Sequence, residues 1–261
     1  MLPILRDFRL IVIMTVRDVA ARYRGSLMGV FWALLLPLLM LALYSFVFST
    51  VFQVRWGTGE ESKAEFTLAL FLGLIAFNFF AECMSKAPSS MQSNVTYLTK
   101  VIFPVEIIPV VVVLSATMHA AVAFFVWLLG HVVFLGSIHI SALYFPLILI
   151  PFLLFTFGVT WFLASLGVYL RDLNQVIGVI TTALMFLSPI FFPVKSFPEN
   201  FRFLLYVNPL TPVIEQSRNA LLWGVPPDLL ILGFYWVVTA VFAFLGFVWF
   251  QKTKAGFADV I

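Results

Sequence analysis

The sequence has 261 residues, of which 62% are hydrophobic and only 10% are charged, and its mean hydropathy is +1.08. A soluble domain of this length does not need so much apolar surface, so the composition predicts an all-α polytopic membrane protein. The net charge of +3 gives no indication of a nucleic-acid-binding surface. The single cysteine, Cys83, excludes an internal disulfide.

The N-terminal segment, residues 4–24, predicts an amphipathic helix that lies in the cytoplasmic membrane interface. On a helical wheel one arc is apolar, and arginines cluster opposite it. The arc contains Ile4, Leu5, Phe8, Ile11, Val12, Val16, Val19 and Tyr23, and the arginines are Arg6, Arg17 and Arg24. The basic side would face anionic headgroups or a partner protein. The alternative is a leader helix packed on its own bundle.

Six apolar stretches predict six membrane spans. They cover residues 27–52, 66–84, 107–135, 143–169, 173–193 and 229–250. Pro37 interrupts the first span and is expected to kink it. Glu82, near the end of the second span, is expected at the cytoplasmic interface or beside a wet interior, because a carboxylate at lipid-exposed depth costs several kcal/mol.

The polar segment after the second span predicts a short cytoplasmic helix over residues 89–100. Pro88 with Ser89 and Ser90 is typical of a helix start, and Pro104 is typical of a stop. A helix outside the membrane is a natural docking element for a partner.

Three histidines fall in or beside the third predicted span, namely His119, His131 and His139. Because no carboxylate or cysteine accompanies them at a metal-ligand spacing, they predict packing roles and no metal site.

Two short apolar helices, over residues 198–206 and 212–222, are predicted before the last span. Each is too short to cross a bilayer, and Asn208-Pro209 separates them. We expect a re-entrant pair that dips into the outer leaflet, where irregular backbone must be covered by protein or line a water-filled cavity. The alternative is a folded external loop.

The distribution of basic residues predicts that both termini lie in the cytoplasm. The predicted topology puts ten Lys and Arg inside and five outside, which follows the positive-inside rule. The ten are residues 6, 9, 17, 22, 24, 86, 100, 171, 252 and 254, and the five are residues 55, 63, 195, 202 and 218.

Several motifs occur in one order along almost the whole chain. The first group is Arg17-Asp18, Arg22-Tyr23-Arg24, Ser26, Gly29, Trp32 and Pro37-Leu38. The later groups are Lys100, Phe103-Pro104, Glu106, Tyr169, Arg171-Asp172, Gln175, Ser188-Pro189, Asn208-Pro209, Glu215 and Arg218. Together these motifs resemble the ABC-2 type polysaccharide export permeases. Members of that family export lipid-linked O-antigen, capsule or teichoic acid chains across the bacterial inner membrane.

The resemblance implies a non-catalytic subunit that works as a homodimer with two copies of an ABC ATPase. No stretch of the chain has the spacing of a phosphate-binding loop, so ATP and Mg²⁺ would be used by the partner and no cofactor by this chain. The ATPase-coupling residues would be Arg17, Asp18, Tyr97 and Lys100, and the outer gate would include Phe201, Asn208, Pro209, Glu215 and Arg218.

Substrate contacts are predicted at aromatic and arginine side chains. Tyr44, Phe48 and Phe52 form a stripe on the first span that could present flat surfaces to sugars, although such stripes also serve packing or face lipid. Arg22 and Arg24, together with Arg17, would favour a lipid pyrophosphate, because Arg binds phosphate oxygens in a planar fork. The alternative for these arginines is topological retention with headgroup contact.

Three other functions remain open. An integral-membrane glycosyl or acyl transferase would need converging acids or bases, and Glu82, Glu106 and His119 show no motif spacing. A secondary transporter would be expected to show internal repeats with broken helices. A small-molecule ABC-2 exporter often carries a larger external domain between the first two spans.

Overall fold

The computed structural model describes residues 7–26, 28–47, 63–99, 103–170 and 172–260, and in these ranges it contains helices and connecting turns without a strand. The all-α prediction is therefore confirmed for the described chain. The helices are α1 (Phe8–Tyr23), α2 (Trp32–Tyr44), α3 (Lys63–Ser90), α4 (Val95–Thr99), α5 (Ile107–Leu135), α6 (Phe145–Tyr169), α7 (Leu173–Phe186), α8 (Arg202–Val207), α9 (Leu210–Leu221), α10 (Leu229–Thr253) and α11 (Phe257–Val260).

Four of the described helices are long and apolar enough to cross a membrane. They run over Lys63–Ser90, Ile107–Leu135, Ile140–Tyr169 and Leu229–Gly256, where the last two ranges include adjoining 3₁₀ turns. Two further apolar helices, Trp32–Val47 and Leu173–Phe186, are shorter. At 1.5 Å per residue a 28-residue helix is roughly 42 Å long, which exceeds the hydrocarbon thickness of a bilayer. The chain is thus a multi-pass membrane protein.

Helix α3 is the centre of the bundle. It packs against α5, α6, α7 and α9, and every residue from Phe66 to Leu74 is buried. A helix that is apolar on all sides is stable only when neighbours surround it, and the first half of α3 has this composition. Helix α10 packs along α6, and a Cβ atom on either Gly158 or Gly246 would overlap the backbone of the other helix. Small residues at a crossing permit such close approach.

The predicted helix start at Pro88 is wrong. Helix α3 continues through Pro88 to Ser90, and a 3₁₀ turn at Gln92–Asn94 then leads into the five-residue α4. Pro88 is buried against α6, where a Cβ atom on Gly167 would overlap its backbone. Close packing against a glycine of another helix therefore retains a proline that local rules would place at a boundary.

The face of α1 that packs on the bundle also differs from the predicted apolar arc. Ile11, Met14 and Thr15 are buried, and α1 lies mainly against α5. Phe8 and Val16, which belong to the predicted arc, remain exposed. The helix thus buries one face in its own bundle and leaves an adjacent apolar face uncovered in the single chain. Residues 1–6 of the predicted segment lie outside the described residues.

Helix α7 ends at Phe186, seven residues before the predicted end of the fifth span. Ser188-Pro189 follows, and a proline disfavours helical geometry in the residue before it. The third predicted span, in contrast, covers the same residues as α5. The residue that follows this helix, Gly136, has φ +86°. The left-handed conformation at Gly136 is one that other residues adopt only with strain.

Candidate functional site

Two polar sites lie at different depths along α3. Arg22, near the end of α1, contacts Glu82 of α3, whereas Arg218 of α9 contacts Ala69 of the same helix. The two positions are 13 residues apart, which corresponds to roughly 20 Å along a helix axis. The α1 end and the α9 end of the bundle are thus distinct places.

At the α1 end, five side chains form what we call the Glu82 cluster: Asp18, Arg22, Glu82, Lys86 and His119. Arg22 Nη1 lies 2.7 Å from Glu82 Oε1, Lys86 Nζ 2.9 Å from the same oxygen, and His119 Nδ1 3.1 Å from it. Lys86 also lies 3.7 Å from Asp18 Oδ2. The cluster therefore joins α1, α3 and α5 through charge-assisted hydrogen bonds.

A cavity of about 600 Å³, here called the Glu82 cavity, adjoins this cluster. Its polar wall contains Arg22, Glu82, Lys86 and His119, and α2 supplies an apolar wall that includes Trp32 and Tyr44. Charged side chains and flat apolar side chains thus line the same cavity. Such a space suits an amphipathic molecule with a charged head and an apolar body.

Only some of the residues predicted to contact the substrate line this cavity. Arg22 and Tyr44 line the same cavity, although the sequence separates them by 22 positions. Arg24 is exposed and is not among the described residues that line it. Phe48 and Phe52 lie outside the described residues.

The predicted ATPase-coupling residues meet beside the Glu82 cluster. Arg17 Nη1 donates a hydrogen bond of 3.1 Å to the Tyr97 hydroxyl, which ties α1 to α4. Asp18, the next residue, contacts Lys86 as described above. Lys100 and Arg171 lie outside the described residues. Two of the predicted coupling residues are thus in direct contact across 80 positions of sequence.

At the α9 end, the buried Arg218 organises the packing. Its guanidinium donates to the backbone carbonyls of Ala69 at 2.9 Å, Pro189 at 2.5 Å and Ile190 at 3.0 Å. It also lies 3.3 Å from Glu215 Oε1. Burial raises the pKa of the Glu215 carboxyl, and the Arg218 guanidinium opposes that rise. Arg218 thus satisfies irregular backbone after α7 that would otherwise be buried without donors.

The two short helices predicted here are α8 and α9, and they differ in burial. Nine residues of the twelve-residue α9 are buried against α3, α6 and neighbouring turns, whereas Leu205 is the buried residue of α8. Helix α9 starts two residues before its predicted start, because Asn208 Oδ1 accepts from Leu210 N at 2.9 Å. Helix α9 is therefore packed against the rest of the chain over most of its length.

A larger cavity, of about 1300 Å³, lies between α9, α10 and the turns after α7. Among the predicted gate residues, Asn208, Pro209 and Glu215 line it. Arg218 is buried and Phe201 is exposed, and neither is among the described residues that line the cavity. The Thr211 hydroxyl, also in the lining, has no hydrogen-bond partner in the described part of the chain.

Sequence reasoning missed His119 and Lys86 as site residues. The sequence predicts a packing role for His119 because no carboxylate or cysteine accompanies it at a metal-ligand spacing, but the structure brings Glu82 within hydrogen-bond distance. The register between α3 and α5 creates this pair, and a single sequence does not contain it. Lys86 was within reach of sequence reasoning, since Glu82 and Lys86 have the i, i+4 spacing of a helical ion pair.

Comparison with known proteins finds similarity over most of the chain. The family model described as ABC-2 type transporter matches residues 9–222. The O-antigen export system permease protein RfbA of Klebsiella pneumoniae is 26% identical over 255 residues, which cover 97% of this chain and 95% of that protein. RfbA of Myxococcus xanthus is 25% identical over 80% of this chain and 78% of its own length. The polysialic acid transport protein KpsM of Escherichia coli is 23% identical over 88% of each.

Proposed function

The chain belongs to the ABC-2 type transporter family, and we propose that it is the membrane permease of an ABC transporter that exports lipid-linked polysaccharide. O-antigen is the first candidate for the glycan, and capsular polysaccharide and teichoic acid are the alternatives. The observation that carries the proposal is the similarity to an O-antigen export permease over 97% of the chain. The polysialic acid transport relative supports the same substrate class.

We propose six spans in the bacterial inner membrane, with both termini in the cytoplasm. The four long helices would be joined by the shorter apolar segments that contain α2 and α7. The α1 end would then be cytoplasmic, in agreement with the excess of Lys and Arg counted there from the sequence. The α9 end would face the outer leaflet as a re-entrant element.

A homodimer is the proposed working unit, and α2 and α7 are its proposed contact and conduit surfaces. Among the described residues of α2 none is buried, and in α7 only Leu173 and Ile177 are. Two apolar helices with so little burial in one chain have free faces for a second copy. Polar positions on α7 such as Asn174 and Thr182 are exposed, which suits a wall that passes sugar hydroxyls.

The ATPase subunits are proposed to dock at α1 and at the segment from Gln92 to Thr99. The hydrogen bond from Arg17 to Tyr97 supports this assignment, because it would let both segments move as one surface. ATP and Mg²⁺ would be bound by the partner subunits. The chain itself is then a non-catalytic subunit, like the transport permeases to which it is similar.

The Glu82 cavity is the proposed site for the lipid phosphate of the substrate at the cytoplasmic side. Arg22 supplies a guanidinium, and the apolar wall that includes Trp32 supplies a surface for the lipid. At the other end, α8 and α9 are proposed as the outer gate beside the larger cavity. Arg218 and Asn208 would set the closed position through their backbone contacts.

Deletion of the gene in a host that makes the glycan tests this function. We expect lipid-linked glycan to accumulate inside the cell, surface glycan to disappear, and the full chain to restore it together with its ATPase. A transferase would give a different result, because the lipid-linked glycan would not be completed in the deletion strain. Unchanged surface glycan in that strain would contradict both functions.

A further inference from the structure

Three nitrogen-bearing side chains converge on a single oxygen atom of the Glu82 cluster. Arg22 Nη1, Lys86 Nζ and His119 Nδ1 all lie within 3.1 Å of Glu82 Oε1. Only His119 also approaches Oε2, at 3.2 Å. Arg22 Nη1 also lies 2.9 Å from His119 Nδ1. Two cationic donors and a histidine nitrogen, contributed by three helices, thus surround one oxygen, an arrangement that a phosphate group, with several strong acceptor oxygens, fills better than one carboxylate does.

This convergence is more than the fold requires. The side chains of Arg22 and Lys86 are 47% and 39% exposed, and exposed ion pairs contribute little to stability. The His119 Nε2 atom is buried and has no partner within the described residues. The cluster therefore has unused hydrogen-bonding capacity at the wall of a cavity of about 600 Å³.

We propose that the Glu82 carboxylate occupies the place of a substrate phosphate, and that a lipid diphosphate binds by displacing it from Arg22, Lys86 and His119. The inference rests on the proposed function and deepens it. Glu82 is then the residue that limits affinity for the phosphate group. A transporter needs that limit, because a site that binds too tightly does not release its substrate.

The local charges give the direction of the effect. Within the cluster, the negative charges of Asp18 and Glu82 balance the positive charges of Arg22 and Lys86. An incoming diphosphate must therefore compete with a carboxylate already at hydrogen-bond distance from its donors. Replacement of Glu82 by Gln keeps the shape, removes one negative charge and leaves the cluster with a net positive charge. The variant should bind phosphate anions more tightly.

The test is a binding measurement on the full chain in nanodiscs of zwitterionic lipid, with farnesyl diphosphate and inorganic pyrophosphate as probes. Glu82→Gln should bind farnesyl diphosphate about tenfold more tightly or better, since loss of a nearby like charge is worth at least that factor. Glu199→Gln is the matched control, because Glu199 pairs with Arg202 on the exposed turn before α8. It should leave the affinity unchanged.

A double variant, Arg22→Gln with Glu82→Gln, should lose the gain, because the guanidinium that binds the anion is gone. If Glu82→Gln does not fold, Glu82→Ala serves the same test, since it also removes the negative charge that competes with the phosphate and should also tighten binding. Unchanged or weaker binding by a folded Glu82 variant would overturn the inference.

The source of the phosphate is decided in the same experiment. Addition of phosphatidylglycerol to the nanodiscs should compete only weakly with farnesyl diphosphate, because its phosphodiester carries a single negative charge and a diphosphate carries more. Equal competition would overturn the assignment to a lipid diphosphate in favour of bulk anionic lipid. A Glu82→Gln chain that still restores surface glycan but binds like the parent would overturn this inference and leave the export function standing.

Discussion

Arg17 of α1 donates to the hydroxyl of Tyr97 in α4, and this single contact of 3.1 Å joins the two proposed ATPase-docking segments. Because the bond is exposed, its loss should change the free energy of unfolding by less than about 1 kcal/mol. Tyr97→Phe should therefore fold normally but lower ATP-driven export. Tyr144→Phe, at an exposed position of the turn before α6, is the control and should export normally. Equal export by the two variants would show that the bond has no coupling role.

We expect substitution of Arg218 to cause a large loss of stability. Arg218→Gln should leave the carbonyls of Ala69, Pro189 and Ile190 without their donor and Glu215 without its partner. We expect the free energy of unfolding to fall by about 3 to 5 kcal/mol. Thermal unfolding in detergent measures this loss.

Arg202→Gln is the matched control for that substitution, because Arg202 makes its contacts in the exposed turn region. It should lower the melting temperature only slightly. If both variants melt at the temperature of the parent chain, the backbone after α7 does not depend on Arg218.

In the packing of α6 and α10, we expect substitution of one glycine to cause a steric clash and substitution of another to cause none. A Cβ atom on Gly246 would overlap the carbonyl oxygen of Gly158, whereas nothing lies within 4 Å of one on Gly233 in the same helix. Gly246→Ala should destabilise the chain by about 1 to 3 kcal/mol or more. Gly233→Ala should be neutral or stabilising, because alanine favours helix. A lower melting temperature for Gly233→Ala than for Gly246→Ala would contradict this packing.

Accessibility of α9 tests the proposed gate. Leu221 is 4% exposed and Phe201 is 55% exposed, and the native Cys83 is buried and should give little background. Phe201→Cys should react with an impermeant thiol reagent from outside in every state. Leu221→Cys should react mainly during ATP-driven transport, when α9 moves. Rapid labelling of Leu221→Cys without ATP would argue against a gate.

The long apolar helices could be predicted from the sequence, because an uncharged stretch of membrane length has few other stable conformations. Helix α5 coincides with its predicted range for this reason. The prediction of a helix start at Pro88 is wrong because the rule for prolines considers only neighbours in sequence, whereas Pro88 packs against Gly167 of another helix. The prediction of which face of α1 packs on the bundle is also wrong. Leu10, Ile13 and Met14 make that helix apolar on several sides, so periodicity alone does not determine the packed face.

The candidate site was predictable only in part. Arg22 and Tyr44 were identified by residue type, and the structure adds that they share one cavity. The pairing of His119 with Glu82 depends on how α3 and α5 are aligned, which no spacing in the sequence encodes. Burial of Arg218 was equally hidden, since its carbonyl partners come from two separate places in the chain, Ala69 in α3 and Pro189-Ile190 after α7.

The central claim is tested most directly by transport in proteoliposomes that contain the purified chain and its ABC ATPase, with lipid-linked polysaccharide in the membrane. The account predicts that ATP drives the glycan to the far side of the vesicle and that omission of either protein stops this movement. Glycan movement no faster with ATP than without it, or equally fast without the chain, would contradict the account.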